Sequence, residues 1–182
     1  MVRGSGNEYR LRVHVVMLGG APGVGKTSAA RRFLELAENG PRLVQWVDVD
    51  YLWLHQPWRV DERMTGMVHA NIRAVAEHAA QAEVDVLVIT WVFQSAEMHR
   101  LVAGLLPSTA TSVSIQLHAS RATWQQRFEA DPERRGINEH YEARYASAQT
   151  TPTDHVIDTD GLTPMEVARR VAEVVALDGS LS

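Results

Sequence analysis

Residues 15–36 read VVMLGGAPGVGKTSAARRFLEL, and the order of residue types in this stretch decides the fold. An apolar run rich in branched side chains, Val13 to Leu18, predicts a buried strand. A glycine-rich turn follows. Then Ala29, Ala30, Phe33, Leu34 and Ala37 recur at helical spacing before ENGP stops the segment, which predicts a helix entered directly from the turn. Strand, glycine turn and helix in that order place backbone N–H groups and a positive helix end around one point, a cradle for phosphate oxygens.

Gly20, Gly25, Lys26 and Thr27 satisfy G-x-x-x-x-G-K-[ST], the Walker A pattern, in the context it requires. Gly20, Ala21, Gly23, Val24, Gly25, Lys26, Thr27 and Ser28 are therefore the predicted nucleotide-binding residues. Lys26 is expected to reach the β- and γ-phosphates, and the Thr27 hydroxyl to ligate Mg2+. Among 18 Lys plus Arg, Lys26 is the only lysine. A compact ammonium fits inside a phosphate loop where the wide guanidinium fork does not.

Working outward, RLVQWVDVD predicts a second strand ending in acids, and Glu62 to Gln81 one amphipathic helix. VDVLVIT is a continuous apolar run expected of a central strand covered on both faces. Ser95 caps a helix through Leu106, TSVSIQLH forms a fourth strand, and Ser120 opens a helix to about Ala130. After the polar break DPERRGIN, Glu139 to Gln149 is helical, DHVIDT is a fifth strand, and TPME is a capping box opening the last helix. Alternating strands and helices imply a five-stranded parallel sheet in a three-layer α/β/α architecture, with ligands at the carboxyl ends of the strands. One domain over residues 1–182 is expected from the length.

Asp48 and Asp50 share one face if the strand stays extended, and so converge on one place. Beside a γ-phosphate, Asp48 is the predicted Mg2+ partner with Thr27, and Asp50 the predicted base or acceptor-orienting group. Asp85 starts its strand and is expected to be an entry residue. The absence of a second lysine rules out an N-K-x-D guanine element, leaving ATP as the expected nucleotide.

With GGAPGVGKTS, DVD, SIQLHASRATWQQRFEAD and HVIDTDGLTPMEVARRV in that order, the chain resembles the small P-loop kinases of the nucleoside-monophosphate-kinase-like group. Shikimate kinase, gluconate kinase and chloramphenicol phosphotransferase belong to it. The resemblance spans nearly the whole chain. It implies a P-loop NTPase fold with a short lid over about residues 128–140, ATP and Mg2+ as cofactors, and phosphoryl transfer to a hydroxyl of a small molecule. It further implies that Asp50 contacts the acceptor, that Arg127 with Arg134 or Arg135 closes over the phosphates, with Arg144 a weaker candidate, and that Thr159 packs near the adenine.

Trp53, Trp58, Arg59, Trp91 and Gln94 are the remaining expected acceptor-binding residues, an aromatic set suited to a ring-bearing or sugar-like alcohol. Trp46 and Trp124 are read as structural. An antibiotic or other secondary metabolite is an attractive acceptor on the resemblance. A net charge of −4 gives no basic footprint for nucleic acid. No apolar stretch is long enough to span a bilayer, and a cytoplasmic location is the default expectation. Zero cysteines exclude a thiol nucleophile and a disulfide framework. Two other classes stand beside the kinase reading: an ATP-dependent switch or assembly factor, and a nucleic-acid-end kinase. The oligomeric state is left open.

Overall fold

The computed structural model describes residues 13–132, 134 and 136–177. Five parallel strands form one sheet: β1 (His14–Gly20), β2 (Val44–Asp48), β3 (Val86–Thr90), β4 (Thr111–His118) and β5 (His155–Asp158), in the order β2-β3-β1-β4-β5. The helices between and after them are α1 (Lys26–Ala37), α2 (Val49–Trp53), α3 (Glu62–Gln81), α4 (Ala96–Ala103), α5 (Arg121–Glu129), α6 (Glu139–Thr150) and α7 (Pro164–Leu177). The three-layer α/β/α architecture is the one read from the sequence.

The residues of β1 explain its position. All seven are buried, and their period of two sends alternate side chains to opposite cores. Val16 and Leu18 join Ala29, Ala30 and Phe33 of α1 and Ala168 and Val171 of α7. Val15 and Met17 join Val68, Ile72 and Ala76 of α3 and Val102 of α4. β3 is equally buried but sits one place from the centre. The central strand is β1, paired on one side with β3 (Leu18 opposite Thr90) and on the other with β4 (Gly20 opposite Leu117).

The predicted helix starts carry their caps. Ser95 accepts from Met98 N at 3.4 Å and Ser120 from Thr123 N at 3.3 Å. Thr163 N donates to Glu166 Oε2 at 2.7 Å and Thr163 Oγ1 accepts from Glu166 N at 3.3 Å, which closes the capping box. Asp85 Oδ2 accepts from Leu43 N at 2.7 Å, so this acid pins the entry to β2 at the end of the sheet remote from the loop.

The expected second strand stops early. Asp48 ends β2 and caps a new helix, accepting from Asp50 N at 3.1 Å. Asp50 therefore lies in the first turn of α2 rather than on an extended strand. An Asp able to bond the N–H two residues ahead offers the backbone a turn, and it wins over β-propensity here.

At the opposite edge, Asp154 Oδ2 accepts from Ser114 N at 2.8 Å and from Ser114 Oγ at 2.7 Å, fastening the start of β5 to β4. Those bonds hold the Asp154 carboxyl below its ordinary range. Its stabilisation is complete above the usual carboxylate pKa of about 4 and is lost as the pH falls through the lower folded value. Asp154→Ala should lower stability by about 1 kcal/mol at pH 7, with the difference from wild type shrinking in urea titrations at pH 3 and below.

Candidate active site

The loop between β1 and α1 needs glycine at two points for separate reasons. Gly20 has φ of 142°, and a Cβ there would lie 2.8 Å from the Leu117 carbonyl oxygen and 2.7 Å from Val24 Cγ1. Gly25 has open space around it but caps α1 in the left-handed region, at φ 110°, which L residues adopt at a cost. With these two turns made, Lys26 folds back beneath the loop, and its Nζ donates to Gly20 O at 2.8 Å and Ala21 O at 3.0 Å. Burial lowers the Lys26 pKa to about 8, opposed by Asp50 and then Asp48.

The loop opens onto a cavity of about 810 Å3 at the carboxyl ends of the strands. Gly23, Val24, Gly25, Thr27 and Ser28 form its floor; Asp48, Asp50, Tyr51 and Leu54 form one wall. Arg127, Asp131 and Arg134 line it too, with an apolar section from Leu117, Leu162, Pro164 and Val167. Arg31 also reaches it. Gly20, Ala21 and Lys26 lie behind this lining, because the Lys26 ammonium is drawn under the loop.

The acids meet at this site although they do not share a strand. Thr27 Oγ1 donates to Asp48 Oδ2 at 3.3 Å, while the other oxygen of Asp48 caps α2. Asp50 keeps an open side to solvent, and its carboxyl is raised above the usual range, first by desolvation and then by the charge of Asp48. Lys26, Arg144 and Arg134 oppose that rise. The Thr27 hydroxyl and Asp48 carboxylate are hard oxygen donors in contact, a set that fits Mg2+, which keeps several waters and takes one or two carboxylates plus phosphate oxygens. Among the described residues no group of three or more His, Cys, Asp or Glu would hold a metal without such help.

The expected lid arginines are held differently from one another. Arg127 donates to Val24 O at 3.1 Å, Thr159 Oγ1 at 2.8 Å and Thr159 O at 2.8 Å, so it ties the loop to the end of β5 and is not a free arm. Thr159 is fully buried, and its N and Oγ1 both donate to His118 O. Its polar groups bond within the fold and form the clamp on Arg127. Arg134 Nε bonds Asp131 Oδ2 at 2.8 Å and its guanidinium lies 4.8 Å over the Phe128 ring. Arg144 Nε bonds His140 Nε2 at 2.7 Å. Arg135 lies outside the described residues, as does one other position of the 128–140 lid.

The aromatic acceptor set does not line the cavity. Trp53 and Trp91 pack against the core beneath α3, Trp91 meets Phe93 edge-on with centroids 6.0 Å apart, and the Gln94 N–H is taken by Met98 Sδ. Trp58 and Arg59 are exposed beyond α2. Helical winding from Val49 turns Trp53 inward with the buried Val49 four residues earlier, and presents Tyr51 and Leu54 instead. Trp46 and Trp124 are structural: Trp46 Nε1 donates to Thr90 Oγ1 at 3.0 Å. Trp124, wholly buried and stacked on Tyr145, donates from Nε1 to Pro22 O at 2.7 Å. Its part in shaping the loop has no local signal, because it depends on a contact made across the fold.

Residues 16–147 match the sequence model of a family described as an AAA domain, AAA_18. No curated protein matches the chain. Among solved structures, a tunicamycin resistance protein from Deinococcus radiodurans has a TM-score of 0.67 at 20% identity, over 90% of this chain and 96% of that one. A sugar kinase from a Janibacter species follows at 0.66 and 15% identity, over 91% and 95%. An adenylylsulfate (APS) kinase from Mycobacterium tuberculosis, in complex with AMPPNP and APS, gives 0.63 and 16% identity, over 91% and 98%. The chain thus has the fold of the small P-loop kinases.

Two outcomes follow from this geometry. With burial lowering the Lys26 pKa to about 8, nucleotide affinity should fall as the pH passes 8, with proton uptake on binding seen by calorimetry in buffers of different ionisation enthalpy. Trp124→Phe keeps an aromatic side chain but removes the indole N–H that bonds Pro22 O, and should destabilise the fold by about 1–3 kcal/mol in denaturant titration while weakening nucleotide binding.

Proposed function

This chain belongs to the AAA_18 family, and from that premise and the cleft's geometry we propose that it is an ATP-dependent phosphotransferase acting on a hydroxyl of a small molecule. The observation that carries the reading is that the Thr27–Asp48 contact and Asp50 line the cavity while the Lys26 ammonium is buried beneath the loop within reach of both acids' charge. Asp50 and Asp48 are, in that order, the strongest opposing charges on the ammonium.

In this reading the loop N–H groups and Lys26 hold the β- and γ-phosphates, and Lys26 exchanges its bonds to Gly20 O and Ala21 O for phosphate oxygens. Bound Mg2+, held from Thr27 and Asp48, would neutralise charge on the phosphates. The acceptor oxygen attacks the γ-phosphorus in line; its new P–O bond forms as the β–γ bridging bond breaks and ADP departs. Asp50 receives the hydroxyl proton. Its raised pKa suits this role, since a base nearer neutrality transfers protons more effectively in both directions. Arg134, half-buried over Phe128 beside the cavity, stabilises the moving phosphoryl group, and Arg127 keeps the loop in register. An antibiotic or other secondary metabolite is the acceptor class suggested by the family resemblance, and the likeness to a tunicamycin resistance protein agrees with it.

The test is transfer of labelled γ-phosphate from Mg·ATP into a panel of hydroxylated metabolites and antibiotics. Lys26→Ala should lower kcat at least about a hundredfold. Asp50→Asn should lower kcat by about 10²–10⁴ with ATP affinity nearly unchanged, and should abolish the acid limb of the pH profile, which in the wild type lies above the ordinary carboxylate range. ATP binding without a labelled product across the panel would favour an ATP-dependent switch instead.

A further inference from the structure

The stretch from Asp50 to Val60 reads DYLWLHQPWRV. Because α2 buries Val49 completely and turns Trp53 toward the same core, the helix period leaves Asp50, Tyr51 and Leu54 on its opposite face. The consequence is unusual for a surface. Tyr51 is 68% exposed, Leu54 68%, Trp58 56% and Val60 69%. Half of the large exposed apolar side chains among the described residues fall in these eleven positions. Scattered single apolar residues need no explanation, whereas a contiguous set beside a binding cavity does.

The segment is held in place from behind. Asn71 Nδ2 on α3 donates to Leu52 O at 3.2 Å. His55 Nδ1 bonds Trp53 O at 2.6 Å and its Nε2 accepts from Arg59 N at 3.2 Å. The His55 ring stacks on Trp58 with centroids 5.2 Å apart, and Trp53 meets Trp58 at 6.0 Å. An apolar surface fixed before binding loses little entropy when a ligand lands on it.

Tyr51 and Leu54 line the cavity directly beside Asp48 and Asp50. The charged residues on this wall of the cavity are Asp48 and Asp50, while Arg59 is exposed farther along the segment. The cations that reach Asp50 are Lys26, Arg144 and Arg134, and they belong to the phosphate loop, to α6 and to the segment before it. Of the cavity's own arginines, Arg127 is bound to Val24 and Thr159, Arg134 to Asp131, and Arg31 reaches the cavity from α1. An anionic acceptor would meet two carboxylates across an apolar wall.

We propose that Tyr51–Val60 is the acceptor platform and that its ligand is an uncharged alcohol with an apolar, ring-sized body, seated on Tyr51 and Leu54 with its hydroxyl at Asp50. This rests on the phosphotransferase reading for the hydroxyl's fate, but the platform itself is tested by binding. Trp58 and Val60 extend the surface outward for a larger body, and His55 is a positioning residue that fixes Trp58.

The experiment uses the full chain with Mg2+ and a non-hydrolysable ATP analogue. Calorimetry measures the binding of neutral aryl alcohols and aryl glycosides, each paired with its carboxylate- or phosphate-bearing counterpart. Neutral members should bind at least about tenfold more tightly than their anionic pairs. Tyr51→Ser and Leu54→Ser should each weaken the neutral members by about tenfold at an unchanged thermal midpoint, and Leu54→Met should restore binding. Anionic members binding equally or better, serine variants binding like the wild type, or no neutral member binding would each overturn the proposal. Labelled-phosphate transfer in the same panel separates the two readings: binding through Tyr51 and Leu54 without transfer sustains the platform and removes the kinase, while transfer confined to anionic acceptors does the reverse.

Discussion

One face of α5 grips the phosphate loop, and the site depends on that grip. Trp124, Arg127 and Phe128 stand at i, i+3 and i+4, which places them side by side on a helix. Trp124 holds Pro22 O and Arg127 holds Val24 O. Phe128 packs so close that a Cβ on Gly23 would touch its ring at 3.0 Å. Three consecutive residues of the loop are thus each set by one residue of a single helix turn. A phosphate cradle works by having its N–H groups aimed before the ligand arrives, and α5 supplies that rigidity from outside the loop.

The same helix passes the constraint onward. Phe128 lies under the Arg134 guanidinium and meets Tyr141 of α6 edge-on, while Trp124 stacks on Tyr145 one turn further along α6. Arg127 connects in the other direction to Thr159, at the end of the edge strand β5. The phosphate loop, α6 and the far side of the sheet are therefore one packed unit. Asp48 performs a comparable service on the acid side, where one carboxylate both starts α2 and touches the Thr27 hydroxyl. Helix start and the oxygen facing the Thr27 hydroxyl are set by the same group.

What could be read from the sequence was what is encoded locally. The Walker A residues, the exact span of α3 and of β4, and the caps at Ser95, Ser120 and Thr163 each rest on neighbours within one turn or one strand, where periodicity and side-chain chemistry speak directly. The acids after β2 were legible as a pair, but the turn that joins them was not. Five residues of α2 carry too little pattern to outweigh a strand-like run ending in VDVD. The grip of α5 was invisible for another reason: its apolar residues sit among Gln and Arg with no amphipathic stripe, and their partners are about a hundred residues away. The tryptophans after β2 and β3 are close to the site in sequence, yet the helix period of α2 and the core under α3 turn Trp53 and Trp91 away from the cavity. Tyr51 and Leu54 take the wall because they are what the winding leaves over.

The strand order carries a further consequence for how the chain is made. β1 comes first in the chain but lies in the middle of the sheet, between β3 and β4, and the helix that aims its loop follows β4. During synthesis from the amino end, the loop residues emerge long before either neighbouring strand exists. The loop takes its native bonds to α5 only after about a hundred further residues have been made, so the motif most legible in sequence is completed in space well after it is synthesised.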